Sequence, residues 1–330
     1  MKALIIGNED RYVKYRPTGI PILDTVEMVF CPRGSSDEEL LAAGRDADFI
    51  AADPMATVTG NVIRQMPNLK IIHTEGVGFN FVDLEAAKER GVYVCNCKGV
   101  NAGAVAEQTI LLMLGLLRSV ISGDRGERAG QQIQIKEAMM LHGIRELADC
   151  KVGLIGFGDI AKAVALRLIP FGCEVYYHTP KRKSEELETE YHVTWLPMEE
   201  LVTTCDMVSL LTPVTPETKG MVDERFLKKM KRDAYLINTA RGDLVDNDAL
   251  RNALINGTIA GAGLDTVAPE PTLADNPVVA LPAECADRVL FSPHIGGITE
   301  STFRRAHRTM WQAFDDVANG KRPEHVVNGV

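Results

Sequence analysis

The sequence predicts an α/β fold built from parallel sheets, and three observations lead to that prediction. Short apolar runs typical of strands alternate with helical patterns almost from end to end. Strands joined through helical crossovers pair in parallel. A chain of 330 residues exceeds one hydrophobic core, so two doubly wound domains are expected. The predicted strands are Ala3–Ile6, Phe49–Ala51, Lys70–His73, Val152–Ile155, Val175–Tyr177, Met207–Leu211, Ala234–Ile237 and Val289–Phe291.

Capping signals place helices between these strands. Ser36 and Glu39 have the spacing of a capping box, in which each side chain bonds the other residue's backbone N–H. Helical patterns over 82–90 and 246–256 are each followed by a glycine, the residue that most readily ends a helix. Helices therefore alternate with strands in both halves of the chain.

The longest helical patterns indicate how the domains divide. Ala102–Arg118 is apolar and precedes a polar stretch without predicted strands, and Glu300–Asn319 follows the final strand and a glycine pair. If the last helix returns to the first domain, the two ends of the chain form one domain and its middle forms the other. The expected boundaries are 1–101 with 298–330 for a flavodoxin-like domain, and 102–297 for a Rossmann-like domain.

Composition excludes several classes of protein. The net charge of −9 has the wrong sign for a nucleic-acid binder. No apolar run is long enough for a membrane span or a signal peptide, so a cytoplasmic protein is expected. The seven cysteines are an odd number, and Cys95 and Cys97 lack the CxxC spacing of a zinc site. Reduced thiols and no metal are expected.

A glycine motif follows the strand that ends at Ile155. Gly156-x-Gly158-x-x-Ala161 is a G-x-G-x-x-A pattern between a predicted strand and a predicted helix. Gly156 permits the tight turn, Gly158 lets a pyrophosphate approach, and the helix N-terminus offers free N–H groups. A dinucleotide-binding domain is therefore predicted, with phosphate contacts from Gly156, Phe157, Gly158, Asp159 and Ile160.

The next strand ends near Thr179, where an NAD-selective site normally has an acid for the ribose 2′-OH. This chain has Thr179 there instead, followed by Lys181, Arg182 and Lys183. A carboxylate would repel a 2′-phosphate, whereas a hydroxyl and cations bind one. NADP(H) is therefore the preferred cofactor, with contacts from Thr179, Lys181 and Arg182, and NAD(H) is possible. The alternative is that the three cations form only a solvated loop.

Three later strand-like runs each lead to an unusual polar residue: Arg241, Glu270 and His294. Ligands bind beyond the carboxyl ends of strands in open α/β sheets, so these side chains are expected to converge. Reduction of a 2-keto acid needs a cation for the carboxylate, which suits Arg241, and an acid for the developing alkoxide, which suits His294. Glu270 would orient the imidazole and favour its charged form.

Taken singly, each residue has a simpler interpretation. Arg241 suits a surface ion pair, Glu270 a loop between prolines, and His294 a cap after Pro293. The other histidines outside the cofactor loop are expected to have no catalytic role: His73, His142, His192, His307 and His325.

The motifs together resemble the D-isomer-specific 2-hydroxyacid dehydrogenase family, in the family's order and over nearly the whole chain. The motifs are the glycine loop, 238–242, Asp265 with Glu270-Pro271, and 292–297, and the likeness extends to Gly76-Val77-Gly78 with Asp83 and to 101–107. The resemblance implies a discontinuous substrate domain, a homodimer, Arg241 as substrate anchor, Glu270 as partner and His294 as acid/base. It implies that Val77 and Gly78 bind the substrate carboxylate through backbone N–H groups. The cofactor contacts it implies are Thr212, Pro213, Thr218, Thr239, Ala240, Arg241, Asp265, His294, Gly296 and Gly297.

The chain departs from the family pattern in ways that bear on specificity. Thr179 replaces the acid of NAD-using members, and Ala161 replaces a third glycine. Asp53, with Glu75 close by, stands where the phosphoglycerate-oxidising branch would have an arginine, so a phosphorylated substrate is disfavoured. Glyoxylate, pyruvate or hydroxypyruvate fits better. The alternatives are a cofactor-sensing protein similar to the family's corepressor branch, and a family enzyme acting on phosphite or formate.

Overall fold

The computed structural model describes all 330 residues as two compact units. Unit 1 comprises Met1–Asn101 and Ile298–Val330, and unit 2 comprises Ala102–Gly297. Each unit contains one sheet, every strand pair in it is parallel, and helices connect the strands. The predicted α/β class is confirmed.

The strands and helices are numbered in chain order. The strands are β1 Lys2–Ile6, β2 Glu27–Cys31, β3 Phe49–Ala52, β4 Ile71–Thr74, β5 Tyr93–Cys95, β6 Lys151–Ile155, β7 Glu174–His178, β8 Val193–Trp195, β9 Met207–Leu210, β10 Tyr235–Asn238, β11 Gly261–Leu264 and β12 Val289–Phe291. The helices are α1 Glu9–Lys14, α2 Asp37–Gly44, α3 Gly60–Gln65, α4 Leu84–Glu89, α5 Ala102–Leu117, α6 Val120–Arg128, α7 Gln132–His142, α8 Asp159–Leu168, α9 Glu185–Tyr191, α10 Met198–Thr204, α11 Glu224–Lys229, α12 Asn247–Ile255 and α13 Glu300–Ala318.

Unit 1 has the strand order β2-β1-β3-β4-β5. The order reverses between β1 and β3, and a crevice at the carboxyl ends of the strands is typical of such a switch point. Both faces of the sheet are buried, as parallel sheets require. On one face Phe49 of β3 stacks on Phe314 of α13, with ring centroids 5.0 Å apart. The C-terminal helix is therefore part of this unit's core.

Unit 2 has the strand order β12-β11-β10-β9-β6-β7-β8. Its switch point lies between β6 and β9, so the loop after β6 opens at the position where dinucleotides bind in such sheets. One face is covered by α5 and α8, and Gly263 of β11 allows close packing because an added Cβ would lie 2.9 Å from Leu112 of α5. The opposite core contains side chains of α10, α11 and α12.

The sequence pattern misses some elements for identifiable reasons. The strands β2 and β8 are edge strands, and each has only one fully buried residue, so their apolar pattern is weak. The polar stretch after α5 forms α6 and the start of α7. Because α7 has no buried residue, its sequence does not show the apolar stripe by which a packed helix is predicted. The capping box of Ser36 and Glu39 is confirmed, with Glu39 Oε2 accepting from the Ser36 N–H at 2.7 Å.

No single helix of the chain is both long enough and apolar enough to span a membrane. The pair α5 and α6 passes a test of length and composition together, with a bend of 62° at their junction. Nine residues of α5 are buried within the protein.

Candidate active site

The loop between β6 and α8 has the shape that a pyrophosphate needs. Gly156 has φ +99°, and an added Cβ would lie 2.4 Å from the Leu211 carbonyl oxygen, so only glycine fits. Gly158 precedes α8 without a side-chain capping bond, and an added Cβ there would meet open space. The first-turn N–H groups of α8 therefore have no side-chain partner from the cap and are available to an anion. These residues fit a dinucleotide.

The segment after β7 is folded around a buried acid, Glu188. Arg182 donates to both Glu188 oxygens, from Nε at 2.9 Å and from Nη2 at 2.7 Å, which lowers the pKa of Glu188. The Tyr177 hydroxyl donates to Glu188 at 2.8 Å and accepts the Lys183 N–H at 2.9 Å. Arg182 is therefore held in an ion pair within this segment, with its side chain still 54% exposed. Thr179 donates to the Lys181 carbonyl at 2.7 Å, and the Lys181 side chain is exposed.

The structure brings Glu270 and His294 together. His294 Nδ1 lies 3.0 Å from each carboxylate oxygen of Glu270, and both side chains are accessible to solvent. A carboxylate at this distance keeps the proton on Nδ1 and leaves Nε2 to exchange a proton with a ligand. The pair therefore has the arrangement of an oriented acid/base histidine.

Arg241 follows the end of β10 and is exposed. Its guanidinium donates to the Ala240 carbonyl at 2.7 Å, and it makes no hydrogen bond with Glu270 or His294. The turn before it is fixed because Asn238 donates to the Arg241 carbonyl at 2.9 Å and accepts the Ala240 N–H at 3.1 Å. The exposed guanidinium is available to bind an anion.

Asp265 organises the loop that carries His294. Its buried carboxylate accepts the Ser292 hydroxyl at 2.5 Å, the Ile295 N–H at 3.0 Å and the Gly296 N–H at 2.9 Å. Gln108 of α5 donates to the Ser292 hydroxyl at 2.8 Å. This chain of bonds holds His294 at φ +54°, a left-handed conformation that non-glycine residues seldom adopt.

Two asparagines that the sequence reasoning did not identify hold the loop of Glu270. The Ala268 carbonyl accepts the Asn247 amide at 2.6 Å and the Asn276 amide at 2.9 Å. Asn247 lies at the start of α12 and Asn276 lies beyond Glu270, so the contact joins segments that are separate in the sequence. No local pattern marks such residues.

The remaining cofactor residues implied by the resemblance lie near the carboxyl ends of β9 and β10. Thr212 and Pro213 follow β9, and Thr218 donates to the Pro213 carbonyl at 2.8 Å. The buried Thr239 hydroxyl lies 2.8 Å from the Thr109 hydroxyl of α5. These contacts shape the loops.

In unit 1 the loop after β4 presents free backbone donors. The Gly76 carbonyl accepts the Cys97 N–H at 2.9 Å, and the Val77 carbonyl accepts the Asn96 amide at 2.8 Å. The N–H groups of Val77 and Gly78 donate no hydrogen bond within the protein. Two adjacent free N–H groups suit a carboxylate.

The acids Asp53 and Glu75 are not the isolated negative charges that the sequence reasoning assumed. Arg11 of α1 contacts both carboxylates, with Nη2 2.8 Å from the Asp53 oxygen. The predicted repulsion of a phosphate is therefore weaker than the local sequence indicates, because the compensating cation lies 42 residues before Asp53. Glu75 also lies 2.7 Å from His307 of α13, a second contact that the sequence did not reveal.

All seven cysteines are free thiols, and six of them are buried. Burial raises the pKa of the Cys205 thiol to about 12, so the thiol form is strongly favoured there. No group of three or more His, Cys, Asp or Glu side chains is placed to hold a metal ion.

Comparison with known proteins gives consistent matches. The family model described as D-isomer specific 2-hydroxyacid dehydrogenase, NAD binding domain, matches residues 110–296. Glyoxylate reductase of Thermofilum pendens is 36% identical over 293 residues, covering 89% of this chain and 85% of that protein. The solved structure of the TT0316 protein from Thermus thermophilus has a TM-score of 0.83 and 31% identity, covering 99% of this chain and 100% of the other. The NAD-complexed D-isomer specific 2-hydroxyacid dehydrogenase of Lactobacillus delbrueckii ssp. bulgaricus has a TM-score of 0.82 and 29% identity, with coverage of 99% and 100%.

Proposed function

Because the chain belongs to the D-isomer-specific 2-hydroxyacid dehydrogenase family of NAD(P)-dependent oxidoreductases, we propose that it reduces glyoxylate or a similarly small 2-keto acid with NADPH. The observation that carries this proposal is the His294–Glu270 pair, with Nδ1 3.0 Å from both carboxylate oxygens. Such a pair supplies the proton that reduction of a keto group requires.

The nicotinamide, when bound, supplies the hydride that reaches C2 of the substrate. His294 donates a proton from Nε2 to the keto oxygen as the alkoxide develops, and takes it back in the oxidative direction. Glu270 keeps the imidazole oriented through Nδ1. Gly156, Phe157, Gly158, Asp159 and Ile160 would hold the pyrophosphate at the start of α8.

We assign the substrate carboxylate to Arg241, whose planar guanidinium is exposed beyond β10 and forms two directional bonds with a carboxylate. The free N–H groups of Val77 and Gly78 are also proposed as carboxylate ligands, on the geometry of unit 1 alone. Residues 1–101 and 298–330 would accordingly form the substrate-binding domain, and 102–297 the dinucleotide-binding domain.

The preference for NADPH rests on the segment after β7. Thr179 stands where NAD-selective sites have an acid, and the exposed Lys181 follows it. Arg182 pairs with Glu188, which fixes the loop, and its side chain is still 54% exposed. Thr179, Lys181 and Arg182 are therefore the proposed 2′-phosphate ligands. The matched family model is described as NAD binding, so NADH is the competing cofactor to be tested.

The proposal is tested by following oxidation of NADPH and NADH at 340 nm with glyoxylate, hydroxypyruvate, pyruvate and bulkier 2-keto acids, with a control lacking substrate. We expect turnover with small 2-keto acids and a higher kcat/KM for NADPH. Turnover that prefers NADH would overturn the cofactor assignment alone. Tight cofactor binding without turnover of any 2-keto acid would contradict the reductase assignment.

A homodimer is also proposed, and α7 supports it. This helix has no buried residue, yet Met140 and Leu141 are apolar and are 70% and 90% exposed. Apolar side chains that are this exposed on one helix are typical of a protein interface. Light scattering during size exclusion should give twice the chain mass, and Leu141→Glu should shift the protein toward the monomer. A wild-type monomer at micromolar concentration would refute the dimer.

The location proposed for the enzyme is the cytoplasm. The seven free thiols are consistent with a reducing compartment. Fractionation of the source cells with an antibody to the chain would test this, and recovery with an oxidising compartment would contradict it.

A further inference from the structure

We infer that Arg11, Glu75 and His307 form a buried positioning network that sets the geometry of the substrate-carboxylate loop 76–78. The inference rests on the proposed function, because it assigns these residues to the loop that would bind the substrate. None of the three would touch the substrate itself. They act through the backbone that presents Val77 and Gly78.

Two members of the network, Glu75 and His307, are removed from water, whereas the Arg11 side chain is 25% exposed. Glu75 is 1% exposed and His307 is fully buried, with Glu75 Oε1 2.7 Å from His307 Nε2. The other Glu75 oxygen contacts Arg11, whose Nη2 also lies 2.8 Å from Asp53. One carboxylate therefore joins the end of β4 to α1 and to α13.

Aromatic rings enclose this network. Tyr12 and Tyr15 lie with ring centroids 4.8 Å and 5.9 Å from the His307 ring, and Arg11 lies over the Phe303 ring at 5.5 Å. Burying charges in such surroundings costs free energy, and replacing a buried ion pair by apolar side chains is often neutral or stabilising. Stability alone is therefore a weak reason for placing Glu75 here.

The position of Glu75 in the chain provides a better reason. Glu75 directly precedes Gly76, and Gly76 packs so closely on Pro54 that an added Cβ would lie 2.5 Å from it. Asp53, which joins the network through Arg11, accepts the Met55 N–H at 2.9 Å and so fixes the segment that supports Gly76. Arg11 thus connects the acids that begin both segments, 53–55 and 75–78.

The carbonyl side of the loop is held independently, since Gly76 and Val77 accept bonds from Thr74, Cys97 and Asn96. The chain enters Gly76 through Glu75, whose N–H donates to the Ala52 carbonyl at 2.8 Å. The contacts of the Glu75 side chain with Arg11 and His307 add a second anchor at this entry point. A displacement of the N–H groups by about 1 Å would weaken a carboxylate contact severely. Binding of the substrate should therefore depend on three residues that do not contact it.

The test compares Glu75→Gln and His307→Phe with the wild type in steady-state assays with NADPH and glyoxylate. Glu75→Gln keeps the side-chain shape but removes the charge that attracts Arg11, and His307→Phe keeps a ring between the tyrosines. We expect KM for glyoxylate to rise about tenfold in each variant while kcat changes by less than about threefold. The dissociation constant for NADPH, measured by fluorescence, should not change.

A conservative variant and a surface variant complete the design. His307→Gln can donate an amide N–H to Glu75, so its KM should lie close to the wild-type value rather than at the raised value of His307→Phe. Lys14→Gln breaks an ion pair with Glu300 between the same two helices, α1 and α13, where both side chains are more than half exposed. That exposed pair should contribute little, so KM should stay at the wild-type value.

The outcomes separate the two proposals. Wild-type turnover with unchanged KM in Glu75→Gln and His307→Phe would overturn the positioning network and leave the proposed function intact. An equal rise of KM in Lys14→Gln, or a His307→Gln variant no better than His307→Phe, would also overturn it. Absence of wild-type turnover with every 2-keto acid would overturn the proposed function and this inference with it. Circular dichroism checks that each variant is folded, and if Glu75→Gln is unfolded the comparison of His307→Phe with His307→Gln decides the question.

Discussion

His294 Nδ1 lies 3.0 Å from both carboxylate oxygens of Glu270, although the two residues are 24 positions apart in the chain. Each is held by its own set of bonds. The Asp265 carboxylate fixes the loop of His294, and the amides of Asn247 and Asn276 fix the loop of Glu270. The alignment of the imidazole is thus determined by bonds within the protein, as an acid/base residue requires.

The first prediction concerns His294 itself. His294→Asn removes the group that exchanges a proton at Nε2, so kcat for reduction of a 2-keto acid should fall by about 10²–10⁴. The dissociation constant for NADPH should stay within about twofold, because the pyrophosphate loop is untouched. Stopped-flow turnover and fluorescence titration measure the two quantities. Activity within a few-fold of the wild type would remove His294 from the acid/base role.

Arg241 is the subject of the second prediction. Arg241→Lys keeps the positive charge but loses the planar fork that forms two parallel bonds with a carboxylate. We expect kcat/KM for glyoxylate to fall by about 10²-fold, the effect of losing one charge-assisted contact of about 3 kcal/mol. Lys229→Gln, which removes an exposed lysine paired with Glu199, serves as the control and should behave as the wild type. Unchanged kinetics in Arg241→Lys would exclude the guanidinium as the substrate anchor.

The third prediction tests how Asp265 holds the loop of His294. Ser292→Ala removes the hydroxyl that donates to Asp265 at 2.5 Å and accepts from Gln108 at 2.8 Å. The buried Asp265 and the half-buried Gln108 each lose a partner, which should cost about 1–3 kcal/mol of unfolding free energy and lower kcat more than it raises KM. Urea unfolding and steady-state kinetics provide the measurements. A variant with lower stability but unchanged kcat would show that the bonds support the fold without positioning His294.

Much of the fold was predictable because strands buried on both faces are nearly continuous apolar runs. Val152–Ile155 followed by a glycine motif is such a case, and β6 and α8 lie where that pattern predicts them. Edge strands such as β2, in which only Cys31 is fully buried, were missed because incomplete burial leaves a weaker apolar pattern. The class of the fold depends on the central strands, so the omissions did not affect it.

The site was harder to predict where its partners are distant in the sequence. Glu75 and His307 are 232 positions apart, and nothing near either residue indicates that they meet. Arg182 was treated as a free cation because its partner, Glu188, lies on the following helix and becomes a neighbour only after folding. Residues within a local motif could therefore be predicted from the sequence, whereas the residues that hold them in position could not.

The fourth prediction addresses the cofactor. Thr179→Asp restores the acid that accepts the ribose 2′-OH and repels a 2′-phosphate, so the ratio of kcat/KM for NADPH to that for NADH should fall by about 10²-fold. Lys181→Gln should reduce the same ratio by a smaller factor, because it removes one charge without adding repulsion. Lys228→Gln, a change at an exposed lysine of α11 that pairs with Glu224, is the control. A ratio unaffected by Thr179→Asp would rule out a 2′-phosphate site at this position.

The fifth prediction is a pH dependence of stability that arises from His73. Burial lowers the pKa of His73 to about 4 from the ordinary 6.5, and its ring packs edge-on against Phe314 in the core of unit 1. Between pH 6.5 and pH 4 the unfolded chain binds a proton that the folded chain rejects, so stability is fully present above pH 6.5 and is lost as the pH falls. From pH 7.5 to pH 5.0 the loss from this group should be about 2 kcal/mol.

His73→Phe keeps an aromatic ring against Phe314 and cannot titrate, so urea unfolding should show a pH dependence smaller by that amount. His142→Phe changes an exposed histidine of α7 and should retain the wild-type dependence. If the unfolding free energies of the wild type and His73→Phe depend on pH in the same way, the loss of stability in acid comes from other groups.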